Sequence, residues 1–166
     1  LILITGYVFG GRMGFLMGSL TMLVSALITA GVGPWLPNQM LTAGWVGLSA
    51  TIVRKLVLLT HQENKPSEFL LLLIFGFLWG YLYGAITNLW FWPFLLNPSN
   101  QQFVPGSSLI TSMRNYGVFY VASSFLWDTT RAIGNVLLIL FFGKATIKVL
   151  RRFQKRFYFT QLGEDR

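Results

Sequence analysis

The sequence predicts an all-α integral membrane protein, a bundle of about six transmembrane helices whose first helix is missing from this chain. Three observations predict it. The 166 residues are 54% hydrophobic and only 11% charged, where a soluble domain carries about 25% charged residues; mean hydropathy is +0.58. The apolar residues fall in long runs broken by Gly/Pro-rich or polar stretches, and roughly 20 apolar residues make one helical crossing. The basic residues, finally, gather at alternate breaks, as in a chain that crosses a bilayer repeatedly.

In chain order, residues 1–9 are apolar but far short of the ~20 needed to span. No basic stretch precedes them, so they read as a partial helix closed by Gly10-Gly11-Arg12 and not as a signal peptide; the chain opens on Leu1, not Met, and is expected to lack its true beginning. Residues 14–30 form the next helix, with Gly14/Gly18 and Ala26/Ala30 four apart, a spacing that lets helix backbones approach closely in lipid. Two glycines and two prolines within 31–37 make a firm break. Residues 39–59 are helical, with small residues at Ala43, Gly47 and Ala50, and Arg54 and Lys55 lead into a polar loop at 61–66. The helix predicted over 68–92 is about 38 Å long at 1.5 Å per residue. It carries Gly76, Gly80 and Gly84 in one stripe, either a packing seam or a sliding surface for a partner, and Pro93 ends it. A polar loop at 97–108 precedes a short helix over 109–123. A straight helix from Arg114 to Phe153 would be about 60 Å long, so a break is expected near Ser123–Ser124. Residues 1–157 read as one transmembrane domain and 158–166 as a frayed cytoplasmic tail.

Thirteen Lys or Arg against five acids give a net charge of +8. Lys144, Lys148, Arg151, Arg152, Lys155 and Arg156 cluster just past an apolar segment, the signature of a cytoplasmic boundary facing anionic lipid, not of a nucleic-acid surface. Residues 31–38 and 97–108 carry no charge. They are assigned to the outside of the plasma membrane, and Arg12, the 54–65 region and the C-terminus to the cytoplasm. With residues 1–9 descending from outside, five of six segments are present.

The chain has no cysteine, which removes disulfides, thiolate metal sites and cysteine nucleophiles. His61, the single histidine, lies in a polar loop. No catalytic triad, paired carboxylates, phosphate-binding loop or metal-ligand spacing is present. Asp128 reads as the only acid inside a span, so an enzyme, a cofactor and a metal are not expected.

Asp128 and Arg131 are the most informative pair. Between Val118 and Phe142 stand thirteen Val, Ile, Leu or Phe residues, which favour insertion by about 6 kcal/mol, while a mid-helix Asp and Arg oppose it by about 2.5–3.5 kcal/mol each. Such a helix wants the pair turned toward other helices or a wet cavity, where ionisable groups mark function; the i,i+3 spacing equally allows a staple that only fastens helices. Asp128, Arg131 and Asn135 share a face about a third of the way down from the outside, and Asn88 can lie at similar depth. Trp35, Trp90, Trp92 and Phe94 crowd the predicted outer boundary, as an interfacial belt or as a lid over a ring-containing ligand.

Several stretches resemble one family. Gly33-Pro-Trp35-Leu-Pro-Asn-Gln-Met-Leu-Thr-Ala-Gly-Trp-Val-Gly47, Tyr7-Val-Phe-Gly-Gly-Arg-Met-Gly-Phe15 and Trp127-Asp-Thr-Thr-Arg-Ala-Ile-Gly-Asn135 with the following Leu-rich run, Gly143-Lys and basic helix are similar to segments of the substrate-binding S components of energy-coupling-factor (ECF) vitamin transporters. Their order and topology agree with that family's six-helix plan. The resemblance implies capture of a vitamin or similar micronutrient from outside, docking on a coupling transmembrane subunit driven by two ATPase subunits, and toppling to release cargo inward. It implies ligand contacts at Trp35, Asn38, Asn88, Asn115, Tyr116, Asp128 and Asn135, with Arg131 holding Asp128 at the floor of the site. Gly14, Gly18, Ala26, Ala30, Gly76, Gly80 and Gly84 are the candidate packing or docking positions; the family's own docking motif belongs to a first helix that this chain does not show. The closest likeness is to cobalamin-type members. The rival reading is a structural subunit of a larger membrane complex with no ligand of its own.

Overall fold

A computed structural model describes residues 1–61, 63, 65–95 and 101–161, the last five by their backbone alone. Among these residues seven α-helices follow one another: α1 Ile2–Phe9, α2 Gly11–Ile28, α3 Leu36–Leu59, α4 Pro66–Phe91, α5 Leu109–Ser123, α6 Phe125–Leu138 and α7 Lys144–Gln161. A 3-10 turn, Trp92–Phe94, extends α4, and a π turn, Ile139–Gly143, joins α6 to α7 without a break. No strand occurs among the described residues. Four stretches of the described residues are long and apolar enough to cross a membrane: Gly11–Ile28, Leu36–Leu59, Pro66–Phe94 and Phe125–Arg156. The chain is an all-α membrane bundle, as the composition predicts.

The helix ends follow local chemistry. Gly10, at φ 97°, reverses the chain between α1 and α2, a conformation open to glycine because it has no Cβ. Pro37 and Pro66 stand in the first turns of α3 and α4, where the missing N–H has no partner to lose. Ser108 Oγ accepts the Thr111 N–H at 3.2 Å and caps α5. At the end of α2 the expectation needs correction. Ala30 lies outside the helix, exposed and at φ 53°, because the Gly31 N–H closes back on the Ala26 carbonyl at 2.8 Å, a left-handed helix stop. Ala30 is therefore off the helical face that its spacing from Ala26 predicts, whereas Gly14, Gly18 and Ala26 are buried. The expected break falls at Ser124, where φ is −130°.

Two glycine seams set the packing. In the first, Gly14 of α2 meets Gly47 of α3, Gly18 meets Ala43, and Gly6 of α1 also rests on Gly47; a methyl group at any of these glycines would run into the facing backbone. In the second, antiparallel seam, α4 receives α6: Gly84 faces Asp128, Gly80 faces Ala132 and Gly76 faces Ile139. The Gly76/Gly80/Gly84 stripe is thus an internal seam. Helix α1 is buried from Leu3 to Val8 and joins the two halves. Its Leu3, Ile4, Tyr7 and Val8 share a core with Val53 and Val57 of α3, Leu72 of α4, and Ile139 and Ile147. Leu16, Leu20, Leu41, Ile52, Leu78, Leu82 and Phe141 stay exposed, as side chains facing lipid do. One end of the bundle gathers Arg54, Lys144, Lys148 and Arg151, and the other carries Trp35, Trp90 and Trp92.

Candidate functional site

The carbonyls of α4 carry a ladder of polar side chains from α5 and α6, because glycines at 76, 80 and 84 leave no side chain between the helices. Asn135 Nδ2 donates to the Gly76 carbonyl at 3.0 Å. One turn on, Arg131 Nη1 donates to the Gly80 carbonyl at 3.3 Å and pairs with Asp128. Tyr116 donates its hydroxyl to the Ala85 carbonyl at 2.5 Å, and Asn88 Nδ2 donates to Ser124 Oγ at 2.5 Å. Asp128 is 1% exposed and accepts a second bond, at 2.8 Å, from the Tyr120 hydroxyl. The Arg131 guanidinium also lies over the Tyr83 ring, 5.1 Å from its centre, and the Tyr83 hydroxyl reaches Met22 Sδ of α2 at 3.2 Å. A buried carboxylate is tolerable only when paired and hydrogen-bonded, and Asp128 has both kinds of partner.

Toward the aromatic end, Trp92 is buried, donates Nε1 to the Gln101 carbonyl at 2.7 Å and stacks edge-on with Phe103 and Tyr116. Asn115 Nδ2 donates to the Gln102 carbonyl at 3.0 Å. Together they hold residues 101–103 against α5. Trp92 is therefore an anchor under the loop, neither an interfacial belt residue nor a lid. Trp90 and Phe94 are exposed, as is Trp35, whose Nε1 is turned back to the Gly31 carbonyl at 3.1 Å. Asn38, at the same end on α3, is 7% exposed, and its Nδ2 has no hydrogen-bond partner among the described residues.

The structure thus brings Asn88, Tyr116, Asp128, Arg131 and Asn135 into one ladder, with Asn115 tied to it through residues 101–103. Trp35 and Asn38 lie at the same end of the bundle without a hydrogen bond to that group among the described residues. Residues 97–100 of the predicted outer loop lie outside the described residues, as do residue 96 and, of the expected tail, residues 162–166. Sequence reasoning missed Tyr120, Tyr83 and Ser124, aromatic and small polar residues that look ordinary in a membrane helix. It also missed a second buried acid. Glu68, 5% exposed, accepts from Arg151 Nη2 at 2.7 Å and from the Tyr7 hydroxyl at 2.7 Å, and Arg151 Nη2 also reaches the Tyr7 oxygen at 3.3 Å. Asp128 is not the only acid enclosed by the bundle.

A family model described as the ECF transporter substrate-specific component matches residues 1–147. The chain belongs to that family. No curated protein and no solved structure matches it. This ECF substrate-specific component is a multi-pass plasma-membrane transport subunit. Its family works with an ECF module of coupling and ATPase subunits on a small-molecule substrate. The matched residues hold the whole polar ladder; Lys148, Arg151, Arg152, Lys155 and Arg156 of α7 lie beyond them.

Proposed function

We propose that this ECF component captures a vitamin-like micronutrient at the outer face and hands it inward through the ATPase-driven coupling module. The aromatic end of the bundle is the outer face in this reading, and the C-terminus is cytoplasmic. The single observation that carries it is Asn38. A buried amide donor left without a partner costs about 1–3 kcal/mol, a cost that makes sense at a position where a ligand supplies the missing acceptor. Asp128, held by Arg131 and Tyr120, forms the floor, and Asn88, Asn115 and Tyr116 stand above it with amides and a hydroxyl that can exchange their present partners for those of a ligand. Trp35 closes the rim. The uncharged outer segments and aromatic surroundings suit a large ring-bearing cargo, and the cobalamin-type subgroup is our reading of its class.

The test is thermal unfolding of the protein in nanodiscs against a panel of water-soluble vitamins, cobalamin included. A true ligand at a hundredfold excess over its Kd stabilises the native state by about 2.7 kcal/mol, and Asn38→Leu should abolish that shift. If no vitamin shifts the wild type, the capture reading of this site fails. The rival reading, an accessory subunit without a ligand, draws on the fact that Asp128 is already met by Arg131 and Tyr120, and Arg131 and Asn135 by carbonyls of α4. A pull-down from native membranes that returns neither ATPases nor a small molecule would favour it.

A further inference from the structure

At the basic end, opposite the proposed capture site, the bundle encloses a half-open cavity of about 1110 Å3 between α1, α3, α4 and α7. Eight Lys or Arg and two Glu line it among the described residues. Arg54 comes from α3, Lys65 from the turn before α4, and Lys144, Lys148, Arg152 and Lys155 from α7. On α7 the basic positions 144, 148, 151, 152 and 155 recur every three or four residues, so they share one face. The floor is apolar, built from Val8, Leu72 and Ile147. Glu68, one of the two carboxylates, is already engaged by Arg151 and Tyr7, which leaves the rim strongly cationic. Arg54 and Gln154 both donate to the Val8 carbonyl, at 3.0 and 2.8 Å, and fix the mouth to the end of α1. The Lys144 ammonium lies 4.9 Å from the centre of the Phe69 ring, so cation and apolar wall adjoin.

We infer that this cavity is a binding site for a phosphate-headed anion, whose two possible sources are an anionic phospholipid of the surrounding leaflet and a soluble phosphomonoester. The chemistry is that of a cationic rim around an apolar floor. Phosphate oxygens accept from several Lys and Arg at once, and the floor takes whatever apolar part follows. The volume exceeds a bare phosphate and suits a phosphoglycerol headgroup with the start of its acyl chains. With the orientation proposed above, the cavity opens at the cytoplasmic boundary, where anionic lipids attract basic segments. Most of its α7 residues lie beyond the stretch that matches the family.

The test uses the whole chain in nanodiscs of phosphatidylcholine with about one phosphatidylglycerol in five, a composition that mimics an anionic leaflet. Lipid retained after transfer to detergent is counted by native mass spectrometry. Wild type should carry phosphatidylglycerol, and Lys148→Gln/Arg152→Gln, at two exposed positions, should lower its retention roughly tenfold or more with unchanged lipid-free melting. Lys55→Gln is the control: Lys55 is exposed on α3, outside the cavity lining, and its loss should leave retention intact. Glycerol phosphate added to delipidated protein separates the sources. If it raises the melting temperature of wild type and not of the double variant, while no lipid is retained, the ligand is a soluble phosphate and the site stands. Equal retention by wild type and double variant overturns the site, as does equal loss with Lys55→Gln, which would reduce it to diffuse surface attraction. Binding of neither lipid nor glycerol phosphate overturns it too, even if the double variant loses the coupling subunit, since the cations would then serve a protein contact. Nanodiscs expose both faces, so an inverted orientation leaves this readout unmoved, and a vitamin panel without a hit does not bear on it.

Discussion

Among the described residues the bundle holds two buried carboxylates toward opposite ends of α4, and each accepts from an arginine and from a tyrosine hydroxyl. At the aromatic end Asp128 takes Arg131 and Tyr120; at the basic end Glu68 takes Arg151 and Tyr7. The difference lies in what each triad connects. Asp128, Arg131 and Tyr120 all come from α5 and α6 and press as a unit onto the glycines of α4. Glu68, Arg151 and Tyr7 come from α4, α7 and α1, separated by 61 and 83 residues. One triad finishes a local surface so that it can pack; the other clasps the first and last helices of the chain to the middle one. Equal chemistry therefore serves a ledge in one place and a clasp in the other.

The sharpest way to break the comparison is to fill the seam beneath the ledge. Gly84→Val should separate α4 from Asp128, and Gly80→Val should separate it from Ala132, since even a methyl group at either glycine meets the facing helix. Overpacking of this kind costs about 1–3 kcal/mol and occasionally more, and expulsion of a buried carboxylate adds to it at Gly84. The expected outcome is loss of monodisperse protein in detergent, read by size exclusion.

Next come the triads themselves. Arg151→Ala should take from Glu68 its arginine partner, and Arg131→Ala should do the same to Asp128. Breaking a buried pair by removing one partner costs about 3–5 kcal/mol. Both values should fall toward the lower end, because the arginine side chains are 28% and 39% exposed and are partly screened by their surroundings. If the clasp reading is right, Arg151→Ala also raises hydrogen exchange in α1, while Arg131→Ala raises it in α5 and α6 and spares α1. A uniform rise in both variants would erase the distinction.

Smaller effects sharpen the picture. Asn38→Leu removes a buried donor that has no partner among the described residues, so it should leave the ligand-free melting temperature unchanged or higher, by about 1 kcal/mol of added stability. A marked loss would mean that the amide is satisfied in solution and would count against the capture site. Gly134→Ala is the smallest: nothing stands within 4 Å of the added methyl, and an alanine in place of a helix-interior glycine stabilises by about 0.5–1 kcal/mol.

What the sequence could show divides along the same line. Asp128 and Arg131 stand three apart, so their pairing is visible as helical spacing, and Gly76, Gly80 and Gly84 announce a seam because small residues four apart lie on one face. The break at Ser124 follows from length alone. Glu68 was hidden because it stands in the first turn of its helix, where an acid looks like a solvated end, and its partners arrive from distant helices that no local period connects. Ala30 was misread for the opposite reason. Its spacing from Ala26 is helical, but the Gly31 N–H captures the Ala26 carbonyl first and ends the helix. Trp92 sits among aromatics that the sequence leaves open between an interfacial belt and a lid, and its inward turn shows only in its bond to the Gln101 carbonyl and its ring contacts with Phe103 and Tyr116.

The π turn at Ile139–Gly143 has a consequence for that hidden clasp. A single surplus residue in a helical rod turns everything after it by about 100°. Counted as an unbroken α-helix, Asp128, Ala132, Asn135 and Ile139 lie along one meridian, and Ile147, Arg151 and Gln154 lie well to one side of it. The surplus residue swings those three back onto the meridian, where Ile147 enters the core and Arg151 and Gln154 reach Glu68 and Val8. The joint works as a vernier: one residue of slack lets a rod whose upper half is timed to α4 arrive at the other end in time for α1.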